Sequence, residues 1–359
     1  MEWRCGAITN GVSVFPDGRI RPCCNIDASY SKPAELITDP DRFKDLNTGS
    51  YNEVCISCKR QEEVSGNSGR KMFNSKVTDT KSIQFLDFRN SNQCNQKCRY
   101  CNPHFSNQIA KELNYKNSLV SFPVSDYYEN LLVDSVQMIY FAGGEPLIMR
   151  DHYEILERLI KKGYSSNISL MYSTNLSVLH YKDIDIISLW QKFKNVNLMV
   201  SLDAVGPAVE YIRSGSNWDT IDANLSTLID SKISQMNITI TPVLSVLNVW
   251  FLPELVEYVT DKGLGIEPFV LYGPDILSLS VLPKDLKDLA RTKLLSIKEK
   301  SPRSYAQAML LLDSDEEHLF NSTIRHILLL DSMRDEKLFQ CLPFKEHAIS
   351  SSLKFYEYE

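Results

Sequence analysis

The chain has 359 residues, of which 43% are hydrophobic and 23% charged, which is enough apolar material for a sizeable core in one large domain or two ordinary ones. Lys and Arg number 39 against 45 Asp and Glu, so the formal charge is −6 and no basic excess marks a nucleic-acid surface. No stretch approaches the roughly 18 apolar residues of a membrane span. The opening residues MEWRCGAITN lack the basic-then-apolar pattern of a signal peptide. The expectation is a cytoplasmic protein with neither a membrane nor a nucleic-acid partner.

Residues 1–60 are rich in Cys, Gly, Pro and Asp and show little periodicity. A unit of that size has too small a core to be stable alone, and a bound metal would supply the missing stabilisation. Residues 60–80 are polar and turn-rich and read as a connector. From residue 82 short apolar runs alternate with helical patterns. The predicted strands are Ile83–Phe88, Val136–Phe141, Ile168–Tyr172, Val196–Ser201, Ile238–Pro242 and Ile266–Leu271. Helices are predicted near 105–115, 151–163, 183–193, 219–232 and 252–262, the last with Pro253 in its first turn. Such alternation implies parallel βαβ units, and six strands suit an α/β partial (β/α)6 barrel rather than a closed eight-stranded one. Residues 284–340 read as mostly helical. The expected division is a Cys-rich unit with its connector over 1–80, the barrel over 81–280 and a helical region over 281–359.

Nine cysteines, an odd number, argue against a disulfide framework, and eight of them fall within the first 101 residues. Three stand in Cys94-x3-Cys98-x2-Cys101, directly after the first predicted strand of the barrel. The C-terminal end of a strand is where α/β barrels carry their chemistry. Three thiolates in a short loop suit three corners of an iron–sulfur cube and leave one iron open. Zinc is the rival, but structural zinc prefers four protein ligands in paired knuckles. Buried structural cysteines are the remaining reading.

This spacing, with Tyr100 in an aromatic slot before the last cysteine, resembles the radical S-adenosylmethionine (radical SAM) superfamily. The resemblance implies that Cys94, Cys98 and Cys101 hold a 4Fe–4S cluster whose open iron chelates S-adenosylmethionine. It also implies reductive cleavage to a 5′-deoxyadenosyl radical that takes hydrogen from a substrate. Gly143, Gly144, Glu145 and Pro146, at the end of the second strand, resemble the family's GGEP motif, which holds the methionine amino group. By themselves they are a tight turn where a missing Cβ permits close approach. Ser173 and Asn175 end the third strand, and Ser201 and Asp203 end the fourth; each alone would be a helix cap. Together they resemble the family's ribose- and methionine-contacting positions. Arg213 resembles an arginine that pairs with the methionine carboxylate, a bidentate contact that a planar guanidinium suits. The segment 241–245 lies where the family meets adenine.

Cys5 and Cys23 flank Gly18 as C-x12-G-x4-C, and Cys55 and Cys58 form C-x2-C. The set resembles half of the auxiliary-cluster domains called SPASM and twitch, here ahead of the core instead of after it. The resemblance implies one auxiliary 4Fe–4S cluster on Cys5, Cys23, Cys55 and Cys58. Cys24, next to Cys23, is an alternative ligand, a four-cysteine zinc knuckle an alternative site, and Cys341 an expected buried thiol that could close the site. Residues 330–334 resemble the tails of uncharacterised twitch-type members. The family implies a small-molecule or peptide substrate and a reductase or a flavodoxin- or ferredoxin-type electron donor. The competing reading is a non-catalytic zinc- or cluster-bearing binding module.

Overall fold

The computed structural model describes residues 3–26, 28–46, 48–65, 68–76, 82–271, 273–336 and 342–344. Cys341 lies outside them. In chain order the N-terminal part contributes α1 (Gly6–Asn10), β1 (Gly11–Val14), β2 (Arg19–Arg21), β3 (Lys32–Pro33), α2 (Ile56–Ser65) and α3 (Gly69–Lys76). Then follow β4 (Phe85–Phe88), β5 (Lys97–Cys98), α4 (Asn107–Glu112), α5 (Tyr128–Leu131), β6 (Met138–Phe141), α6 (Arg150–Lys161) and β7 (Ser169–Thr174). A small hairpin of β8 (His180–Tyr181) and β9 (Ile184–Asp185) leads into α7 (Ile186–Trp190) and β10 (Asn195–Val200). The next elements are α8 (Pro207–Ile212), β11 (Arg213–Ser214), α9 (Trp218–Asp230), β12 (Met236–Ile240), β13 (Val243–Leu244), α10 (Leu252–Asp261), β14 (Gly265–Ile266) and β15 (Phe269–Val270). Three helices close the described chain, α11 (Lys284–Leu294), α12 (Pro302–Leu312) and α13 (Phe320–Arg334).

The result is an α/β fold on one central sheet in the order β14-β12-β10-β7-β6-β4-β1-β2-β3. From β14 to β1 every neighbour is parallel, and β2 and β3 add an antiparallel margin. All six predicted strands appear within a few residues of their expected bounds, and so do the five helices. Two strands are cut short at prolines. Pro242 separates β12 from β13, and Pro268 separates β14 from β15, because a residue without an N–H cannot continue a ladder. The severed pieces β13 and β15 pair with each other instead. Within the Cys-rich segment β1 was not anticipated. Four residues, Gly-Val-Ser-Val, are too few to show alternation, yet they pair residue for residue with Phe85–Phe88 of β4. The Cys-rich segment therefore contributes three strands to the central sheet. Phe73 of α3 packs on Phe85 at 4.6 Å between ring centroids and adds a second tie.

The two faces of the sheet differ in chemistry. Leu86, Phe88, Ile139, Phe141, Leu170 and Tyr172 share the face covered by helices and are almost wholly buried. Burial of each such side chain stabilises by about 1.5–3 kcal/mol. His152 and Tyr153 of α6 pack edge-on here against Phe141 and Tyr172. By strand alternation Ser13, Asp87, Tyr140, Ser173, Asn197 and Thr239 point to the opposite face. A parallel sheet packed on both sides carries apolar residues on both; here the second face mixes these polar residues with Phe85, Met138, Met171 and Met199. Among the described residues, no helix is long and apolar enough to cross a membrane.

Candidate functional site

The loop that follows β4 carries Cys94, Cys98 and Cys101, so the three thiols sit at the C-terminal end of a strand inside the parallel array. The loop is held by many short-range constraints. The Asn107 side chain accepts from the Cys94 amide at 2.9 Å, the Gln96 amide points at Cys94 Sγ, and the Cys101 amide returns to the Cys98 carbonyl. Asn92 spans the loop, donating to the carbonyls of Pro103 and Ser118 and accepting from Val120 N. Burial pushes all three thiols above the ordinary cysteine range, and a bound metal must offset that cost to draw off the protons.

Gly143 and Gly144 press on this loop. A Cβ on Gly144 would lie 2.0 Å from the Gln93 carbonyl oxygen, which is impossible. Gly143 has φ +99° and its Cβ would stand 3.0 Å from the Ser91 oxygen. The Gly144 and Glu145 amides donate to Ser91 O and Gln93 O at 3.1 and 2.8 Å. The close approach that demands glycine is thus to the cysteine loop. Pro146 begins the short turn that follows. Glu145, 1% exposed, accepts from Thr174 Oγ1 at 2.7 Å, Asn175 N at 2.6 Å and Leu147 N at 3.1 Å, tying the end of β6 to the end of β7. Burial raises its carboxyl to about 7 even against these three donors.

Asn175 also donates to Asn95 Oδ1 in the loop, and Ser173 bonds the Tyr140 hydroxyl at 2.6 Å. Ser201 makes a backbone bond to Thr174 O at 2.8 Å, and its hydroxyl has no partner among the described residues. Asp203 is fully buried and receives the Tyr100 hydroxyl, Arg213 Nε at 2.7 Å and Val243 N at 2.7 Å. Arg213 in turn points Nη1 at Cys98 Sγ, 3.8 Å away, and β11 pairs Arg213 directly opposite Cys98 of β5. Tyr100, Asp203, Arg213 and Cys98 therefore form one unit. In it Asp203 orients the aromatic and the cation beside a thiol, and its two oxygens already carry three donors.

A second set of thiols forms in the N-terminal part. Cys5, Cys23, Cys55 and Cys58 line one small cavity together with Arg70 and Phe73. Cys24 does not line it; its thiol lies against the Asp87 carboxylate. Arg70 is fixed by Glu62 and stacks over Trp3 at 4.0 Å. The thiols surround the cavity instead of gathering at a point, and among the described residues no three His, Cys, Asp or Glu could hold a single metal ion. Four thiols around one hollow and three around a loop are donor sets that fit iron–sulfur clusters.

The strongest features that the sequence did not reveal lie in the C-terminal helix. Arg334 of α13 is 1% exposed; its Nη1 donates to Lys97 O and Ser214 Oγ, and its Nε and Nη2 clasp Glu112 in a two-pronged pair. Arg99, also 1% exposed, donates to Asp331, Glu336 and Tyr211 O, and its guanidinium stacks on Tyr211 at 3.6 Å. The cysteine loop is thereby bolted to a helix more than 200 residues away. The sequence pointed here only through the resemblance of residues 330–334 to twitch-type tails, which gave Asp331 and Arg334 no partner.

Residues 91–259 match the radical SAM superfamily. The chain is 24% identical over 228 residues to the GTP 3′,8-cyclase of Sulfurimonas denitrificans, covering 60% of this chain and 62% of that one. It is 29% identical over 117 residues to the GTP 3′,8-cyclase of Campylobacter lari, covering 32% and 34%. The Helicobacter pylori GTP 3′,8-cyclase is 23% identical over 243 residues, covering 65% and 70%. The chain thus spans from about a third to about two thirds of the length of these relatives. Among solved structures, anSMEcpe with bound AdoMet overlaps 69% of this chain and 66% of its own, with TM-score 0.44 and 17% identity. SuiB of Streptococcus suis overlaps 61% and 47%, with TM-score 0.43 and 16% identity.

Proposed function

We propose that the protein is a radical SAM enzyme that cleaves S-adenosylmethionine reductively and abstracts hydrogen from a small-molecule or peptide substrate. The observation that carries the reading is the seating of Cys94, Cys98 and Cys101 at the C-terminal end of β4, pinned by Gly143 and Gly144 and faced by Arg213. Cys94, Cys98 and Cys101 would hold the cluster, and the cluster with S-adenosylmethionine supplies the radical chemistry when bound. The chain's own residues do the rest. Arg213 offers a fixed positive charge beside Cys98, which favours the thiolate form and suits a ligand carboxylate. Tyr100 and Asp203 hold that guanidinium in place. Glu145 fixes the carboxyl ends of β6 and β7, where the hydroxyl of Ser201 remains free to meet a ligand.

In the same reading the sheet is a partial barrel over 81–280, with a twitch- or SPASM-like unit over 1–80 and a helical region over 281–359. An auxiliary 4Fe–4S cluster sits on Cys5, Cys23, Cys55 and Cys58, supported by the shared cavity those four line. A cytoplasmic reductase or a flavodoxin- or ferredoxin-type protein supplies the electron. The test is anaerobic reconstitution, iron and sulfide counting, then dithionite with S-adenosylmethionine. Roughly eight irons per chain and release of 5′-deoxyadenosine are expected. Replacing Cys94, Cys98 and Cys101 with Ala must abolish 5′-deoxyadenosine. Two zinc ions and no cleavage would establish the non-catalytic module instead.

A further inference from the structure

We propose that Arg89, on the more polar face of the sheet, anchors an oxyanion of the substrate, a phosphate ester or a carboxylate. The proposal rests on the radical SAM reading only for the word substrate; the binding site itself stands on geometry. Asp87 and Arg89 alternate along the end of β4 and so share the polar face. Asp87 is fully buried and is satisfied by Ser13 Oγ at 3.3 Å, by the Cys24 thiol and by Arg89. The Arg89 bond uses Nε alone, which sits 3.0 and 3.1 Å from the two carboxylate oxygens.

That choice of nitrogen matters. An ion pair made through the guanidinium fork would consume both terminal nitrogens. Here they have no hydrogen-bond partner among the described residues, although the side chain is only 16% exposed. The guanidinium lies over the Tyr140 ring, 5.2 Å from its centroid, and Tyr140 is itself fixed by its hydroxyl bond to Ser173. Asp87 on one side and Tyr140 on the other thus set the plane and direction of the fork. Two parallel N–H donors with fixed orientation match the two oxygens of a carboxylate or a phosphate.

The position also suits a substrate. The Arg89 backbone abuts Gly143, whose missing Cβ would lie 3.2 Å from Arg89 Cα, on the side of the cysteine loop. On the other side Cys24 touches Asp87, and its neighbour Cys23 lines the second thiol cavity. Arg89 therefore stands between the cysteine loop and the second thiol cavity in the chain of contacts.

The test is isothermal titration of the anaerobically reconstituted enzyme with four probes: inorganic phosphate and GTP for the phosphate source, acetate and succinate for the carboxylate source. At least one probe is expected to bind, and the arm that binds names the source. Arg89→Gln alone leaves the buried Asp87 carboxylate unpaired and risks misfolding, so Asp87→Asn/Arg89→Gln is tested beside it. Removal of both charges is tolerated far better than removal of one. The double variant should bind the probe at least ~10-fold more weakly, and Arg89→Lys should fall between, since a point charge lacks the fork. S-adenosylmethionine affinity should be unchanged in all variants. Equal binding by wild type and double variant, or no binding by any probe at about 10 mM, overturns the proposal. So does loss of S-adenosylmethionine affinity in the variants, which would make Arg89 a ligand of its carboxylate. Release of 5′-deoxyadenosine under dithionite without probe tests the family reading separately, and its failure leaves the anion result untouched.

Discussion

Arg334 offers the sharpest test of how the cysteine loop is held. Its guanidinium makes four bonds at 2.7–3.0 Å, two to the Glu112 carboxylate and one each to Lys97 O and Ser214 Oγ. Replacing it with Met keeps the stem and removes every donor. Glu112 is 9% exposed, and burial works against its charge, yet Arg334 and Lys97 hold the carboxyl below its usual range. After the substitution it keeps only Lys97 Nζ at 2.9 Å. The Lys97 carbonyl loses its donor as well. Breaking a buried pair in this way costs about 3–5 kcal/mol. For 359 residues the entropy of unfolding is about 0.75 kcal/mol/K, so Tm should fall by about 4–7 °C. Glu112→Gln added to Arg334→Met removes the stranded charge. The double variant should therefore lose little beyond the first, with a coupling of at least ~2 kcal/mol. Calorimetry on equally iron-loaded proteins reads both quantities, and low-temperature electron paramagnetic resonance of the reduced cluster reads whether the loop has moved. A shift within about 1 °C for Arg334→Met, or strictly additive effects, would refute the bolt.

Four further outcomes follow from the same geometry. Gly144→Ala should prevent the loop from seating and lower iron content at the radical SAM site, whereas Gly265→Ala, whose Cβ would make only ordinary contacts with Thr239 from 3.7 Å, should behave as wild type. Cys23→Ser should remove about four irons per chain and Cys24→Ser none, as iron and sulfide analysis will read. Asp203→Asn should reduce 5′-deoxyadenosine formation at least ~10-fold, with Tyr100→Phe milder because Arg213 keeps its carboxylate. Burial depresses His152 from 6.5 to about 3. The native state thus binds fewer protons than the unfolded one, and the stability this provides is complete above pH 6.5 and lost as pH falls toward 3. His152→Gln should flatten that decline by on the order of 3–5 kcal/mol in urea unfolding between pH 6.5 and 3, and parallel curves would disprove it.

What the sequence made legible was what is local. The runs Val136–Phe141 and Ile168–Tyr172 announce strands because each apolar residue's neighbours in the chain share its fate. The cysteine loop announces itself because three ligands within eight positions are a local pattern. β1 stayed hidden because its only reason to be a strand is Phe85–Phe88, some 74 residues away, which it pairs in full register. The splits at Pro242 and Pro268 could have been foreseen, since each removes a ladder donor, but the pairing of the severed halves could not. Asp87 and Arg89 lie between these cases. A carboxylate inside the apolar strand Phe-Leu-Asp-Phe is a local anomaly with an inward address, and a buried charge two residues from an arginine asks for a partner. What no local reading supplies is that the partner bond uses Nε, and it is that single geometric choice that leaves the fork available. The same logic applies to Arg99 and Arg334. Their side chains look like ordinary surface charges until a fold brings Asp331 and Glu112 to them across more than 200 residues. Chemistry that depends on residue type was readable early, and chemistry that depends on which atom of a residue is already engaged needed the structure.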